Sequence, residues 1–175
     1  MYEKENASFK ILENHPNDSR VKIREDNVFQ ALTGRMGTGG NNVPMVMKGG
    51  GGMEDVNTVV RRLTPLECER LQGYPDGWTD IGEWIDSNGK KHKDADSPRY
   101  KALGNSIALP FWQWMAGKIT AQLKKDGVEN PTMGSLFDGI GGFPLVFQRN
   151  GVKPVWASEI EEFPIAVTKK RFPEE

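Results

Sequence analysis

The chain of 175 residues has room for one domain, or one and a fraction, and folding at that size buries about 70% of the surface an unfolded chain exposes. Twenty-three Lys and Arg against 24 Asp and Glu leave a net charge of −1, so no excess of charge advertises a nucleic-acid or membrane partner. A single cysteine excludes an internal disulfide and any site needing two thiolates; with no apolar run near the ~20 residues of a membrane span, and a charged opening at Tyr2, Glu3, Lys4 and Glu5, the chain reads as cytoplasmic.

Twenty glycines cluster instead of scattering. The first group, Gly34, Gly37, Gly39, Gly40 and then Gly49 to Gly52, lies among short apolar stretches such as Val43 to Met47. Glycine at this density costs about 1 kcal/mol per helical site, so the segment reads as loop and short strand. Next, Thr64 as N-cap, Pro65 at the first helical position, Glu67 closing a capping box and Gly73 as the stop predict a short helix. Asn88-Gly89 favours a tight turn between Trp84-Ile85 and the lysines that follow, in a stretch expected to be exposed. A second helix is predicted from Ser106, with Ile107, Phe111, Met115, Ile119 and Leu123 on its buried face and Lys124, Lys125 and Gly127 at its end. After a linker, Val128 to Thr132, the pattern becomes strand through Phe137, glycine turn, helix from Phe143, strand Val155 to Ser158, and helix Phe163 to Arg171. That is the opening of a parallel α/β sheet, and two such strands cannot cover both sheet faces, so the chain reads as cut short.

A glycine turn between strand and helix lets a ligand's polar end approach free N–H groups at the helix N-terminus. Glu159 follows Gly139 by 20 residues, the separation expected of a carboxylate that accepts from ribose hydroxyls. Gly139-Ile140-Gly141-Gly142 lacks the third glycine of the dinucleotide fingerprint, which argues against a nicotinamide cofactor. Cys68 reads as a small buried hydrophobe, His15 and His92 as solvated surface residues without metal-ligand spacing, and the five tryptophans as packing residues. The segment Gln30 to Pro44 holds arginine, threonines and asparagines that can donate to base edges and phosphates; a flexible surface loop explains the same composition.

Four segments together resemble the DNA cytosine-5 methyltransferases of bacteria and phages. Ser135 through Phe143 is similar to the family's first motif and Ala157 through Ile160 to its second. Arg62 through Pro75 resembles the ninth motif and Tyr100 through Ser106 the tenth. His15 to Pro44 is similar to the end of the target recognition region. The resemblance implies S-adenosylmethionine as cofactor, held by Phe137, Asp138, Gly139, Ile140, Gly141, Gly142, Glu159 and Ile160, with Asn105 and Ser106 closing the methionyl end. It also implies that Thr33, Arg35, Gly39, Gly40, Asn41 and Asn42 face double-stranded DNA, in the setting of restriction-modification.

The implied fold is α/β: an incomplete, Rossmann-like methyltransferase sheet with an irregular, glycine-rich target-recognition segment. Residues 1–60 would close the recognition region, 61–130 would carry the ninth and tenth motifs, and 131–175 the first two βα units of the cofactor domain. The ninth and tenth motifs precede the first here, the order of a circular permutation. The family's Pro-Cys loop, whose thiolate attacks carbon 6 of a flipped cytosine, and its Glu-Asn-Val segment do not occur in this sequence. The resemblance therefore implies a partial or permuted methyltransferase whose catalytic segment lies elsewhere or in a companion chain; the alternative is a non-catalytic DNA-binding or regulatory fragment. No catalytic residue and no metal ligand is expected within the chain.

Overall fold

The computed structural model describes residues 9–14, 21–24, 26, 28–38, 43–48 and 59–173. It is a mixed α/β structure with small sheets and, among the described residues, five α-helices.

The described part of the first third holds short strands, as its composition suggests, and a 3₁₀ helix. Strands β1 (Phe9–Asn14), β2 (Val21–Arg24), β3 (Met45–Lys48) and β4 (Val59–Arg62) make an antiparallel sheet in the order β2-β1-β3-β4. Ile11, Leu12, Val46 and Met47 are buried along it, with Ile11 opposite Val46. β4 is a fully exposed edge that ends in Arg61 and Arg62, charges that discourage pairing with another chain. Between β2 and β3 a 3₁₀ helix, Gly34–Thr38, buries Met36.

Helix α1 (Pro65–Gln72) is built as its caps predict. Thr64 Oγ1 accepts from the Glu67 N–H at 3.2 Å, the Glu67 carboxylate accepts from the Thr64 N–H at 2.8 Å, and Gly73 ends the helix at φ 83°. Arg61 adds a two-pronged bond to the same carboxylate, both arms at 2.7 Å. Glu69, on the helix's other side, is wholly buried, yet its lone pairs are taken by the N–H groups of Gly77 (2.7 Å) and Thr79 (2.8 Å), by the Thr79 hydroxyl and, at 3.4 Å, by Arg99. A buried carboxylate satisfied this fully acts as a peg, fixing the loop after α1 to the helix that follows.

That helix, α2 (Asp96–Gly104), is not signalled in the sequence reading; its first turn has no side-chain cap. Before it comes the hairpin expected at Asn88-Gly89, with β5 (Trp84–Ile85) and β6 (Lys91–His92). The hairpin is exposed as expected, at Ile85 and from Ser87 to Lys91, and it is also tied down: the Ser87 N–H and hydroxyl both donate to Glu162, 75 residues away. His92 is likewise not a solvated histidine. It is half-buried, stacks on Trp84 with ring centres 4.1 Å apart, and bonds Asp86 at 2.8 Å, because a cross-strand pair brings the two rings face to face.

Helix α3 spans Leu109–Lys125, starting three residues later than expected, and its buried stripe differs from the predicted one. Leu109, Ala116 and Thr120 face inward, whereas Phe111, Trp114 and Ile119 are exposed. Trp114 is therefore not a core residue. Residues spaced by four drift around a helix of 3.6 residues per turn, so the predicted set does not hold to one face, and the face turned inward is the one carrying Leu109, Ala116 and Thr120. Strand β7 (Thr132–Leu136), helix α4 (Gly142–Arg149), strand β8 (Lys153–Ser158) and helix α5 (Glu162–Arg171) complete the chain, and β7 and β8 pair in parallel as the pattern requires. Trp156 and Leu136 on this two-stranded sheet remain exposed.

One apolar core joins these parts. Met36 from the 3₁₀ helix, Val43 just before β3 and Val46 within it join Leu63, Cys68, Tyr74, Trp78, Leu103 and Leu109 in one cluster with Ile140, Val146, Phe163, Val167 and Phe172.

Candidate functional site

The turn after β7 is shaped by glycine. Gly141 adopts φ 80° at the N-cap of α4, and at Gly142 a Cβ would lie 2.6 Å from the Tyr74 hydroxyl and 3.0 Å from Ile107. Only a residue without a side chain lets the loop after α1 press this closely on the turn. The same loop supports the turn from behind: the Trp78 indole N–H donates to the Ile140 carbonyl at 2.7 Å, inside the core. Tyr74, whose phenol burial pushes up, bonds Ser106 at 2.5 Å.

Just before the turn, Phe137 sits at φ 53°, the one non-glycine residue at positive φ among the described residues, and its ring is 87% exposed. An aromatic residue in the left-handed region costs about 1–3 kcal/mol, a strain that the surrounding bonds sustain. Here the Asp138 N–H donates to the Ser158 carbonyl at 3.0 Å, and Asp138 is buried with the Ser135 hydroxyl donating to its carboxylate. The backbone is thus held in the one conformation that throws the ring outward. Ile160, equally exposed at 87%, projects after β8.

Between these two residues lies Glu159. Its carboxylate accepts from the N–H groups of Gly139 at 2.6 Å, Ile160 at 2.7 Å and Glu161 at 2.9 Å. Partial burial raises its pKa, but the three backbone donors outweigh that and hold the carboxyl below its ordinary value, so it is an anion at neutral pH. Asn105, just after α2, lines the same space. Asn105, Phe137, Gly139, Glu159 and Ile160 share one cavity of about 710 Å³.

Other members of the predicted set lie elsewhere. Ile140 is buried in the core, Asp138 braces the turn from beneath, Ser106 is engaged by Tyr74, and Gly141 and Gly142 pack against Phe172 and Tyr74. These five shape the turn without lining the cavity. Thr33 and Arg35 are exposed at the 3₁₀ helix; Gly39, Gly40, Asn41, Asn42 and His15 lie outside the described residues. The Thr33-Gly34 backbone lies directly against the end of α2: a Cβ on Gly104 would fall 2.0 Å from the Thr33 carbonyl oxygen, and one on Gly34 would meet the Asn105 side chain. The segment assigned to DNA and the residue assigned to the cofactor are therefore in contact.

Sequence reasoning missed part of the wall, namely Trp84 from the hairpin and Ser97, Pro98 and Lys101 from α2, the last bridging to Glu161 at 2.8 Å. Proximity of the hairpin to α5 leaves no periodic trace, and the only available signal was the Trp-x-Asp stretch before Asn88-Gly89.

The profile of the C-5 cytosine-specific DNA methylases matches residues 3–121 and 132–175. The chain belongs to this family. Among curated C-5 methylases and other DNA methyltransferases, it is 38% identical over 100 aligned residues to the DNA N-6-adenine-methyltransferase of Escherichia phage P1, covering 44% of this chain and 13% of that protein. It is 35% identical over 99 residues to the Type II methyltransferase M.Bsp6I of Bacillus sp. (strain RFL6), covering 57% and 25%. To M.HhaI of Haemophilus parahaemolyticus it is 34% identical over 68 residues, covering 39% and 17%. The aligned part is thus a quarter or less of each of these relatives. Among the described residues no helix of this C-5 methylase chain is long and apolar enough to cross a membrane, and no group of three or more His, Cys, Asp or Glu could hold a metal ion.

Proposed function

We propose that this chain carries the cofactor-binding part of a DNA cytosine-5 methyltransferase and takes S-adenosylmethionine in the cavity between α2 and the turn after β7. The observation that carries this reading is the convergence of Asn105, Phe137, Gly139, Glu159 and Ile160, drawn from three separate segments, on one space of about 710 Å³. That volume falls within the ~300–1,000 Å³ of small-molecule sites.

The donor set fits the group. Each carboxylate oxygen has two acceptor positions. Glu159 Oε1 uses both on the Ile160 and Glu161 N–H groups, while Oε2 uses one on Gly139 and keeps one for a ribose hydroxyl. Phe137 and Ile160 offer apolar surface on either side of it. When bound, the cofactor supplies an electrophilic methyl group; the chain's own residues orient it and exclude water from its apolar faces. The nucleophile is not here. Cys68 is wholly buried, and burial pushes its thiol up to about 12, so it stays protonated and unreactive. The thiolate and the assisting carboxylate would come from a segment outside this sequence or from a companion chain, acting on double-stranded DNA. Within that scheme residues 1–60 serve target recognition, with Thr33, Arg35 and the Gly39–Asn42 stretch toward the DNA, and 131–175 open a Rossmann-like cofactor domain.

The test is Glu159→Ala, measured by calorimetric titration with S-adenosylmethionine. Loss of the acceptor should weaken binding by about 1–3 kcal/mol, or roughly five- to a hundredfold. Unchanged affinity would remove Glu159 and with it the cavity assignment. Methyl transfer restored on mixing the chain with a polypeptide bearing the Pro-Cys segment would support the whole scheme; DNA binding without transfer in that mixture would oppose it.

A further inference from the structure

The cavity wall extends beyond the family-like motifs: Trp84, Pro98, Phe163 and Pro164 line it as well, interspersed with Ser97, Lys101 and the two glutamates after Ile160. Of the parts of a nucleoside-bearing methyl donor, the flat, weakly hydrated ring is the one that such apolar side chains favour.

Trp84 is held for such a role. The His92 ring stacks on one face of the indole, with centres 4.1 Å apart and planes at 10°. His92 is itself fixed by Asp86, whose carboxylate also accepts from the N–H groups of Asn88 and Lys90 at 3.0 and 2.9 Å, closing the hairpin. Phe163 meets Trp84 edge-on, 5.6 Å between centres at 70°, and the two hydrogen bonds that Ser87 donates to Glu162 tie the hairpin to the first turn of α5. Trp84 is thereby anchored from two sides while still forming part of the cavity wall.

We propose that Trp84, delivered by the β5–β6 hairpin, is the aromatic contact for the purine ring of the bound methyl donor, with His92 positioning it. The inference rests on the cofactor reading of the cavity and names a binding residue outside the four motif-like segments of the sequence. Aromatic contact with a base is worth roughly ten- to a hundredfold in affinity.

Calorimetric titration of the full chain with S-adenosylhomocysteine, in wild type, Trp84→Leu and Trp84→Phe, tests it together with intrinsic fluorescence. Trp84→Leu should bind ten- to a hundredfold more weakly, Trp84→Phe should recover most of the loss, and wild type should show a ligand-induced quenching of indole emission that is diminished in Trp84→Phe. Melting curves of the variants establish that each is folded. Binding by Trp84→Leu within twofold of wild type, or quenching undiminished in Trp84→Phe, overturns the proposal and leaves the cavity reading standing. A wild-type chain that does not bind S-adenosylhomocysteine overturns both.

Discussion

Replacing Gly104 with alanine probes the contact on which the arrangement of α2 depends. A Cβ there would stand 2.0 Å from the Thr33 carbonyl oxygen, 2.1 Å from its carbon and 2.5 Å from the Gly34 nitrogen, all backbone atoms that no rotamer change can move aside. Ordinary carbon contacts begin near 3.5 Å, so the two backbones must part by roughly 1.5 Å. Overpacking of this kind costs about 1–3 kcal/mol, partly offset by the ~0.5–1 kcal/mol that alanine gains over glycine in a helix. A net loss of about 1 kcal/mol lowers the melting temperature of a chain this size by about 2–4 °C. Circular dichroism melts read it directly. Gly117→Ala is the matched control: it sits in mid-α3, where a Cβ meets only the Asn150 Oδ1 at 3.4 Å, and it should stabilise by about 0.5–1 kcal/mol. Because Asn105 follows Gly104, the cofactor titration should weaken in the first variant and hold in the second. A Gly104→Ala chain that melts with wild type would refute the contact between α2 and the 3₁₀ helix.

Three further outcomes are expected. Glu67 is held near pH 2 by the Arg61 guanidinium and by Thr64, below its ordinary 4.5. It therefore stabilises the fold above about pH 4.5 and loses that contribution as pH falls toward 2; Glu67→Gln should flatten the acid limb of a stability-against-pH profile by about 1 kcal/mol, discounted because the pair is partly exposed. Cys68 should resist a disulfide-exchange reagent at pH 8 until denaturant unfolds the chain, and fast labelling of the native protein would contradict its burial. Trp78→Phe leaves the Ile140 carbonyl without its donor inside the core, so chemical denaturation should report a loss of about 1–3 kcal/mol; no loss would mean the glycine turn is held by other means.

Local rules were legible where their causes are local. The capping box at Thr64 and Glu67, the αL stop at Gly73 and the turn at Asn88-Gly89 act within a few residues, the parallel β7–α4–β8 unit within one continuous strand-helix-strand stretch, and all stand as read. The buried face of α3 did not, because a helix carrying Phe111, Trp112 and Trp114 offers more than one apolar stripe, and only its neighbours choose between them. Nor did α2, whose first turn lacks a cap and whose packing comes from the Thr33-Gly34 backbone and the Glu69–Arg99 pair.

The sequence by itself determined the family, the glycine turn after β7 and the carboxylate 20 residues beyond it, since fixed spacings along a strand, turn and helix survive in one dimension. Tertiary structure alone decided which of those residues reach the cavity. It withdrew Asp138, Ile140 and Ser106 into bracing roles, turned Phe137 outward at positive φ, and brought Trp84 and Lys101 to the wall. The reason is physical: a cavity is the space left between elements, and its lining depends on how α2, the hairpin and α5 pack together across many tens of residues, through bonds such as Ser87 to Glu162 that no local pattern announces.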